Sequence, residues 1–145
     1  VHAALAGALT TNVDLSNTYL NWALDNFRTN RIDSSRHQFI QYDCLTWLKM
    51  TKDRFDVIFL DPPSFSNSKR MEETLDIQRD HELLINAAMR LLSPGGTLYF
   101  STNLRSFKLA SGISEEYTVC DISEDTIDID FKRNKRIHQC FTIRN

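Results

Sequence analysis

The stretch that decides the fold is FDVIFLDPPSF, from Phe55 to Phe65. Its apolar core, Val57 to Leu60, runs directly into Asp61. Pro62 and Pro63 then end sheet pairing, because proline has no backbone N–H to donate. A run that is apolar on both faces is typical of a central strand in a helix-covered parallel sheet, whose ligands bind at the carboxyl ends of the strands. Asp61 is therefore predicted to lie at the ligand-binding edge of the sheet. An ordinary strand followed by a turn would explain the same sequence.

Composition limits the kind of protein. The chain has 145 residues, of which 41% are hydrophobic and 25% charged, which is typical of one soluble domain. No apolar run reaches the roughly 18 residues of a membrane span, so we expect no membrane partner and a cytoplasmic protein. The net charge of −2 means that any nucleic-acid partner needs a local basic patch or another domain.

The cysteines do not indicate a metal or disulfide site. Cys44, Cys120 and Cys140 are odd in number and form no CxxC pair. We expect buried, reduced thiols and no metal.

Strands and helices alternate along the chain. Thr10 to Val13 reads as a strand, followed by a helix capped by Ser16. A second strand, His37 to Tyr42, precedes a helix from Cys44 to Met50. This order predicts a doubly wound α/β sheet with parallel inner strands.

The third unit continues the alternation. A helix is predicted from Leu75 to Leu92, ended by the breakers Ser93 to Gly96, with a buried strand at Thr97 to Thr102. From Asn103 to Ser114, a ragged helix and a loop fit equally well. The runs 116–122 and 136–143 predict a closing antiparallel strand pair.

Three predicted strands end in acids, Asp14, Asp43 and Asp61. In a parallel sheet these ends share one edge, so the carboxylates would line one crevice suited to a nucleoside-containing cofactor. The competing explanation for Asp14 and Asp43 is helix capping, which stabilises a helix by roughly 0.5 to 2 kcal/mol.

Several motifs together carry a family resemblance: DPPSFSNSKR from Asp61, QRDH from Gln78, LLSPGGTLYFS from Leu91 and KRNKRIHQCF from Lys132. With them the chain resembles the class I S-adenosylmethionine-dependent methyltransferases. More narrowly, it is similar to the C-terminal domain of the bifunctional K/L family, which modifies 23S ribosomal RNA. The resemblance implies a Rossmann-like, mostly parallel sheet, S-adenosylmethionine as cofactor and RNA as partner.

The resemblance also implies roles for individual residues. Asp14 and Leu15 would bind the ribose of the cofactor, and Asp43 with Cys44 would lie at its adenine. The segment Asp61 to Phe65 would form the floor between methyl donor and target base. The resemblance implies that Asp61, Pro62 and Pro63 are catalytic and that Asp61 also binds the cofactor. It implies that RNA is bound by Ser64, Phe65, Lys69, Arg70 and Arg105.

The sequence departs from the family at its start. The family's first strand and glycine-rich loop would precede residue 1, and none of the four glycines forms a G-x-G turn. We expect residues 1–145 to be a single, N-terminally truncated domain, joined to a second methyltransferase or RNA-binding domain on the same polypeptide. The strands at 10–13 and 57–60 would then have open edges.

The target atom is less constrained. Methylation at carbon 5 of a pyrimidine needs a cysteine nucleophile, and neither DPPSF nor STNLRS contains one. Asp61 and the carbonyl of Pro62 can accept the hydrogens of an exocyclic amine (guanine N2 or adenine N6), whereas guanine N7 needs only positioning. Residue chemistry leaves both open; the resemblance favours N7. A catalytically inactive RNA-binding module and a nicotinamide-dependent oxidoreductase are the other hypotheses.

Aromatic and basic side chains provide candidate RNA contacts. Phe65 can stack on a flipped base, or be an ordinary core residue. Lys69 and Arg70, Arg105 and Lys108, and the run 132–136 are cations that can meet phosphates or simply be solvated.

Overall fold

A computed structural model describes residues 1–66, 74–131, 133 and 137–145. The chain divides into two compact units, Val1–Met50 and Thr51–Asn145. The expectation that residues 1–145 form a single domain stays a prediction.

The first unit contains two strand–helix repeats. Its elements are α1 (His2–Leu5), β1 (Thr11–Asp14), α2 (Asn17–Thr29), a 3₁₀ turn (Ser34–Arg36), β2 (Gln38–Gln41) and α3 (Cys44–Met50). β1 and β2 pair in parallel, with Thr11 opposite Gln38 and Asp14 opposite Gln41. Both predicted repeats are confirmed.

Helix α2 packs through the predicted apolar stripe. Leu20 and Phe27 are buried, and the Phe27 ring meets His37 and Phe39 edge-on at centroid distances of 5.0 and 5.2 Å. Ser16 occupies the N-cap position, as predicted, but its side chain makes no capping hydrogen bond.

The second unit is built on one sheet and a small hairpin. Its elements are β3 (Phe55–Leu60), β4 (Phe65–Ser66), β5 (Leu75–Asp76), α4 (Ile77–Met89), β6 (Leu92–Thr102), α5 (Ser111–Glu116), β7 (Thr118–Asp121), a 3₁₀ turn (Ile129–Phe131) and β8 (Gln139–Arg144). The sheet order is β3-β6-β8-β7; β3 and β6 are parallel, and β8 is antiparallel to both neighbours. β4 and β5 pair antiparallel. The α/β class and the closing antiparallel pair are confirmed.

Strand β3 is less buried than its sequence suggests. Val57 and Phe59 are 61% and 67% exposed, so the expected burial on both faces is wrong. In the part of the chain that the structure describes, β3 has one neighbour, β6, and therefore lies at the sheet edge. β1 likewise pairs with β2 alone among the described strands.

The glycines before Thr97 do not separate a helix from a strand, because they lie inside β6. The register jumps from Phe55 opposite Leu92 to Val57 opposite Thr97, which places an irregularity between them. A Cβ on Gly96 would lie 3.0 Å from the Asp56 and Ser93 carbonyl oxygens. Gly95 has φ +77°, a conformation that glycine adopts without steric cost.

Helix α4 is shorter at both ends than predicted, because Leu75 and Asp76 form β5 and Leu92 begins β6. Its predicted stripe is buried, with Ile77 and Ala88 fully inaccessible. The ambiguous segment after β6 is a loop followed by α5. Cys120 is exposed on the edge strand β7, so the expectation of a buried thiol is wrong there. Among the described residues, no helix has the length and apolar character of a membrane span.

Candidate active site

Asp61 directly follows β3, beside the end of β6. The parallel register sets Leu60 opposite Phe100, so the next residues along, Asp61 and Ser101, come side by side. The Ser101 hydroxyl donates to Asp61 Oδ1 at 2.6 Å, a length typical of a hydrogen bond to a charged oxygen. Ser101 is 6% exposed, whereas Asp61 is exposed. One carboxylate oxygen is thus fixed from the protein side while the group remains accessible.

A cysteine from β8 lies close to this acid. Cys140 is the register partner of Ser101 and is buried. Burial raises the pKa of its thiol, and the charge of Asp61 acts in the same direction. A thiol held neutral in this way is a poor nucleophile, because the thiolate is the reactive form.

The residues after Asp61 are attached to the start of α4. The Ser64 carbonyl accepts from the Ile77 N–H at 3.2 Å, and Phe65 pairs with Asp76 across the β4–β5 hairpin. Asp76 caps α4 by accepting from the Gln78 N–H at 2.9 Å. These bonds attach Ser64 and Phe65 to the start of α4.

Phe65 does not belong to the core. Its side chain is 61% exposed, so the interpretation of Phe65 as an ordinary core residue is wrong. Its ring is available to a ligand, while Pro62 and Ser64 are half-buried.

The predicted cations are only partly described. Arg105 is exposed on the loop after β6, where the Leu104 N–H donates to Thr102 Oγ1 at 3.2 Å. Lys69 and Arg70 lie outside the described residues, as does the run 132–136 apart from Arg133.

In the first unit, Asp14 and Asp43 each use one oxygen locally. Asp14 Oδ1 accepts from the Ser16 N–H at 2.7 Å, and Asp43 Oδ2 accepts from the Thr46 N–H at 2.8 Å. The capping explanation is therefore realised by Asp43 at the start of α3. Leu15 follows Asp14, and its carbonyl accepts from Gln41 Nε2 at 3.3 Å.

Cys44 lies within the field of both acids. Burial raises the pKa of its thiol to about 11, and the charges of Asp14 and Asp43 add to the effect. Its Sγ donates to the Val13 carbonyl at 3.4 Å. Asp14, Asp43 and Cys44 thus lie close together at the carboxyl ends of β1 and β2, and their roles at a cofactor stay a prediction.

The predicted site residues fall into two groups. Those at β1 and β2 belong to the first unit, and those after β3 and β6 belong to the second. The edge shared by all three acids therefore stays a prediction. No group of three or more His, Cys, Asp or Glu side chains suited to a metal occurs among the residues that the structure describes.

Sequence reasoning missed Ser101 and two residues of α4, Gln78 and His81. A signal for Ser101 was present: it is a hydroxyl at the end of the strand next to the one that delivers Asp61. The hydrogen bonds of Gln78 and His81 join segments about 30 positions apart in the chain and leave no local pattern.

Comparisons with known proteins agree with this architecture. A family model described as S-adenosylmethionine-dependent methyltransferase matches residues 1–119. The ribosomal RNA large subunit methyltransferase K/L of Legionella pneumophila (strain Corby) is 72% identical over 143 residues, covering 99% of this chain and 20% of that protein. The namesake from Cellvibrio japonicus is 58% identical over 146 residues, covering 100% and 19%. The chain therefore spans about a fifth of the length of these curated relatives.

Solved structures show the same fold. A methyltransferase complexed with SAH has a TM-score of 0.72 at 24% identity, over 94% of this chain and 39% of that one. The SAM-dependent methyltransferase from Agrobacterium tumefaciens has a TM-score of 0.68 at 18% identity, over 99% and 50%. These likenesses confirm the Rossmann-like fold. Because the family model covers most of its length, the chain belongs to the S-adenosylmethionine-dependent methyltransferase family.

Proposed function

We propose that the chain is part of an RNA methyltransferase that transfers a methyl group from S-adenosylmethionine to guanine N7 in 23S ribosomal RNA. The observation that carries the proposal is the fixed acceptor Asp61, held by Ser101 and followed by the exposed ring of Phe65. An oriented carboxylate followed four residues later by an exposed aromatic ring suits a flipped base, which needs both edge recognition and stacking.

The relatives supply the substrate class. Their printed name is ribosomal RNA large subunit methyltransferase K/L, and each is about five times as long as the matched segment. We infer that this chain acts on the same class of RNA in the cytoplasm. We also infer a second methyltransferase or RNA-binding domain on the same polypeptide.

The first unit fits the adenosine part of the cofactor. Asp14 and Asp43 each commit one carboxylate oxygen to a backbone N–H, and the described residues give no hydrogen bond to the other. Ribose hydroxyls would bind at Asp14 and Leu15, and adenine at Asp43 and the neutral thiol of Cys44. S-adenosylmethionine supplies an electrophilic methyl group.

The chain's part in the reaction is positioning. In-line transfer requires the target nitrogen about 3 to 3.5 Å from the methyl carbon, held there through the transition state. The lone pair of N7 lies in the ring plane and carries no proton, so no general base is needed. Asp61 would orient the base, Ser101 would orient Asp61, and Pro62 and Pro63 would restrict the backbone between them and Phe65.

A second candidate is methylation of an exocyclic amine, guanine N2 or adenine N6. The Asp61 carboxylate and the Pro62 carbonyl are two acceptors on adjacent residues, as an amine with two hydrogens requires. Covalent carbon methylation is disfavoured, since neither DPPSF nor STNLRS contains the cysteine that it needs.

The product distinguishes these reactions. Intact protein would be incubated with methyl-labelled S-adenosylmethionine and unmodified 23S ribosomal RNA, and the nucleosides then separated. Wild-type protein and Asp61→Ala would be compared, because the inferred second domain can add its own label. The proposal predicts label in N7-methylguanosine that is lost in Asp61→Ala. Loss of label from N2-methylguanosine or N6-methyladenosine would instead establish the second candidate, and loss from a C5-methylated pyrimidine would contradict both.

The alternative of a catalytically inactive module has its own test. Calorimetry with S-adenosylmethionine would be done on this chain and on the chain extended upstream by the expected first strand and glycine-rich loop, without the inferred second domain. Binding by at least one is expected. Binding by neither, without label in RNA, would refute the enzyme.

A further inference from the structure

The first turns of α4 hold the loop between β6 and α5. Gln78 Oε1 accepts from the Lys108 N–H, and Gln78 Nε2 donates to the Lys108 carbonyl, both at 2.9 Å. The side-chain amide of Gln78 thus satisfies both the N–H and the carbonyl of Lys108, in the way that the backbone of a neighbouring β-strand would. One turn further along α4, His81 Nε2 accepts from the Ala110 N–H at 3.0 Å.

The acceptor role of His81 is fixed by its other nitrogen. His81 Nδ1 lies 3.0 Å from the carbonyl oxygens of Ile77 and Gln78, which can only accept. Nδ1 therefore carries the proton, and Nε2 is left as the acceptor for Ala110. The ring is 3% exposed, so water does not compete for this bond.

A buried aromatic residue anchors the middle of the same loop. Phe107 is 4% exposed, and its ring meets His81 edge-on at 4.8 Å and Phe100 at 5.5 Å. Its carbonyl accepts from Gln139 Nε2 at 3.1 Å. The loop is thus attached to α4, β6 and β8 through separate interactions.

The outer side of this rigid loop carries cations. Arg105 and Lys108 are exposed, and neither forms an ion pair within the described part of the chain. The same end of α4 also holds the segment after Asp61, through the bond between Ile77 and Ser64. One helix end therefore fixes both the loop with the cations and the segment with the proposed base-stacking ring.

We propose that Gln78 and His81 are positioning residues for RNA binding. By holding the backbone at Lys108 and Ala110, they pre-orient Arg105 and Lys108 toward RNA phosphates, which lowers the entropy lost on binding. This inference rests on the proposed function, and it gives the QRDH motif a role.

The test uses Gln78→Ala in the intact protein, because Gln78 is exposed and its replacement spares the core. The dissociation constant for 23S ribosomal RNA should rise about three- to tenfold, while that for S-adenosylmethionine stays unchanged. The slope of log affinity against log salt should also become shallower by about one unit for each phosphate that the cations no longer neutralise. Leu83→Ala, at a half-exposed position of the same helix, is the matched control and should leave both constants unchanged.

A double-mutant cycle separates positioning from a general structural effect. In an Arg105→Ala, Lys108→Ala background, Gln78→Ala should cost RNA affinity no further, because the cations it orients are gone. Amide hydrogen exchange at Lys108 should accelerate in Gln78→Ala. Three outcomes would each overturn the inference. Amide exchange at Lys108 could accelerate while RNA affinity stays unchanged, or amide exchange could stay unchanged. Alternatively, Gln78→Ala could reduce RNA affinity equally in the wild-type and in the Arg105→Ala, Lys108→Ala background.

The proposed function can fail separately. If the wild-type protein binds RNA but transfers no methyl group, the proposed reaction is refuted. The binding and exchange measurements still decide the role of Gln78.

Discussion

The Ser101 hydroxyl and the Asp61 carboxylate, 40 positions apart in the chain, are joined by a 2.6 Å hydrogen bond. The bond follows from the parallel register of β3 and β6, which sets the two residues side by side where β3 ends. Because Ser101 is buried and Asp61 exposed, the protein fixes one carboxylate oxygen and presents the group at the surface.

Ser101→Ala should slow methyl transfer more than it weakens cofactor binding, because Asp61 contacts the base in the transition state. A hydrogen bond to a charged group is worth about 1.5 to 3 kcal/mol, so the loss in kcat/KM for RNA should be about 10- to 100-fold. Steady-state kinetics and calorimetry with S-adenosylmethionine would measure the two quantities. Ser106→Ala removes an exposed hydroxyl on the loop after β6 and should change neither. Equal kinetics for the two variants would show that Ser101 does not orient Asp61.

Phe65→Ala should weaken RNA binding while sparing stability. Stacking of a base on an aromatic ring is worth roughly 1 to 3 kcal/mol, which corresponds to a 5- to 150-fold rise in KM for RNA. The side chain is 61% exposed, so the free energy of unfolding should change by less than about 0.5 kcal/mol. Phe65→Tyr keeps the ring and should restore most of the affinity. A Tyr variant as weak as the Ala variant would refute stacking.

The thiol of Cys44 should make stability depend on alkaline pH. Its pKa is raised from 9.0 to about 11, so the folded state holds the thiol proton more tightly than the unfolded chain. The contribution of this thiol to the free energy of unfolding is fully present below pH 9. It is lost as the pH rises toward about 11, because the thiol ionises at lower pH in the unfolded chain than in the folded one. Urea unfolding from pH 8 to 11 measures it.

The control for that experiment is the exposed thiol Cys120. Cys44→Ala should remove part of the alkaline fall in unfolding free energy, whereas Cys120→Ala should leave the fall unchanged. Identical pH profiles for the wild type and Cys44→Ala would contradict the assigned burial.

Local patterns in the sequence were enough to predict the order of elements. Strand-like segments ending in acids located β1, β2 and β3, and the bounds of α3 agree with the structure. The closing antiparallel pair also followed from two β-rich runs. Each of these features depends on residues that are close in the chain, so its signal is local.

Features set by distant neighbours were not predictable in this way. The exposure of Val57 and Phe59 depends on which elements cover β3, not on their own hydrophobicity. The β4–β5 hairpin has two residue pairs, too few for a periodic pattern. The Ser101 bond needs a known register, which the sequence does not specify.

The central claim is that Asp61 positions the target base, and single-turnover formation of N7-methylguanosine in 23S ribosomal RNA by Asp61→Ala tests it most directly. Asp61→Ala leaves the buried Ser101 hydroxyl without its acceptor, so the melting temperature should fall by a few degrees while the protein stays folded. The account predicts a rate at least about 100-fold lower, equivalent to about 2.7 kcal/mol of transition-state stabilisation, with a smaller loss for Asp61→Asn. A folded Asp61→Ala protein that transfers methyl groups at the wild-type rate would contradict it.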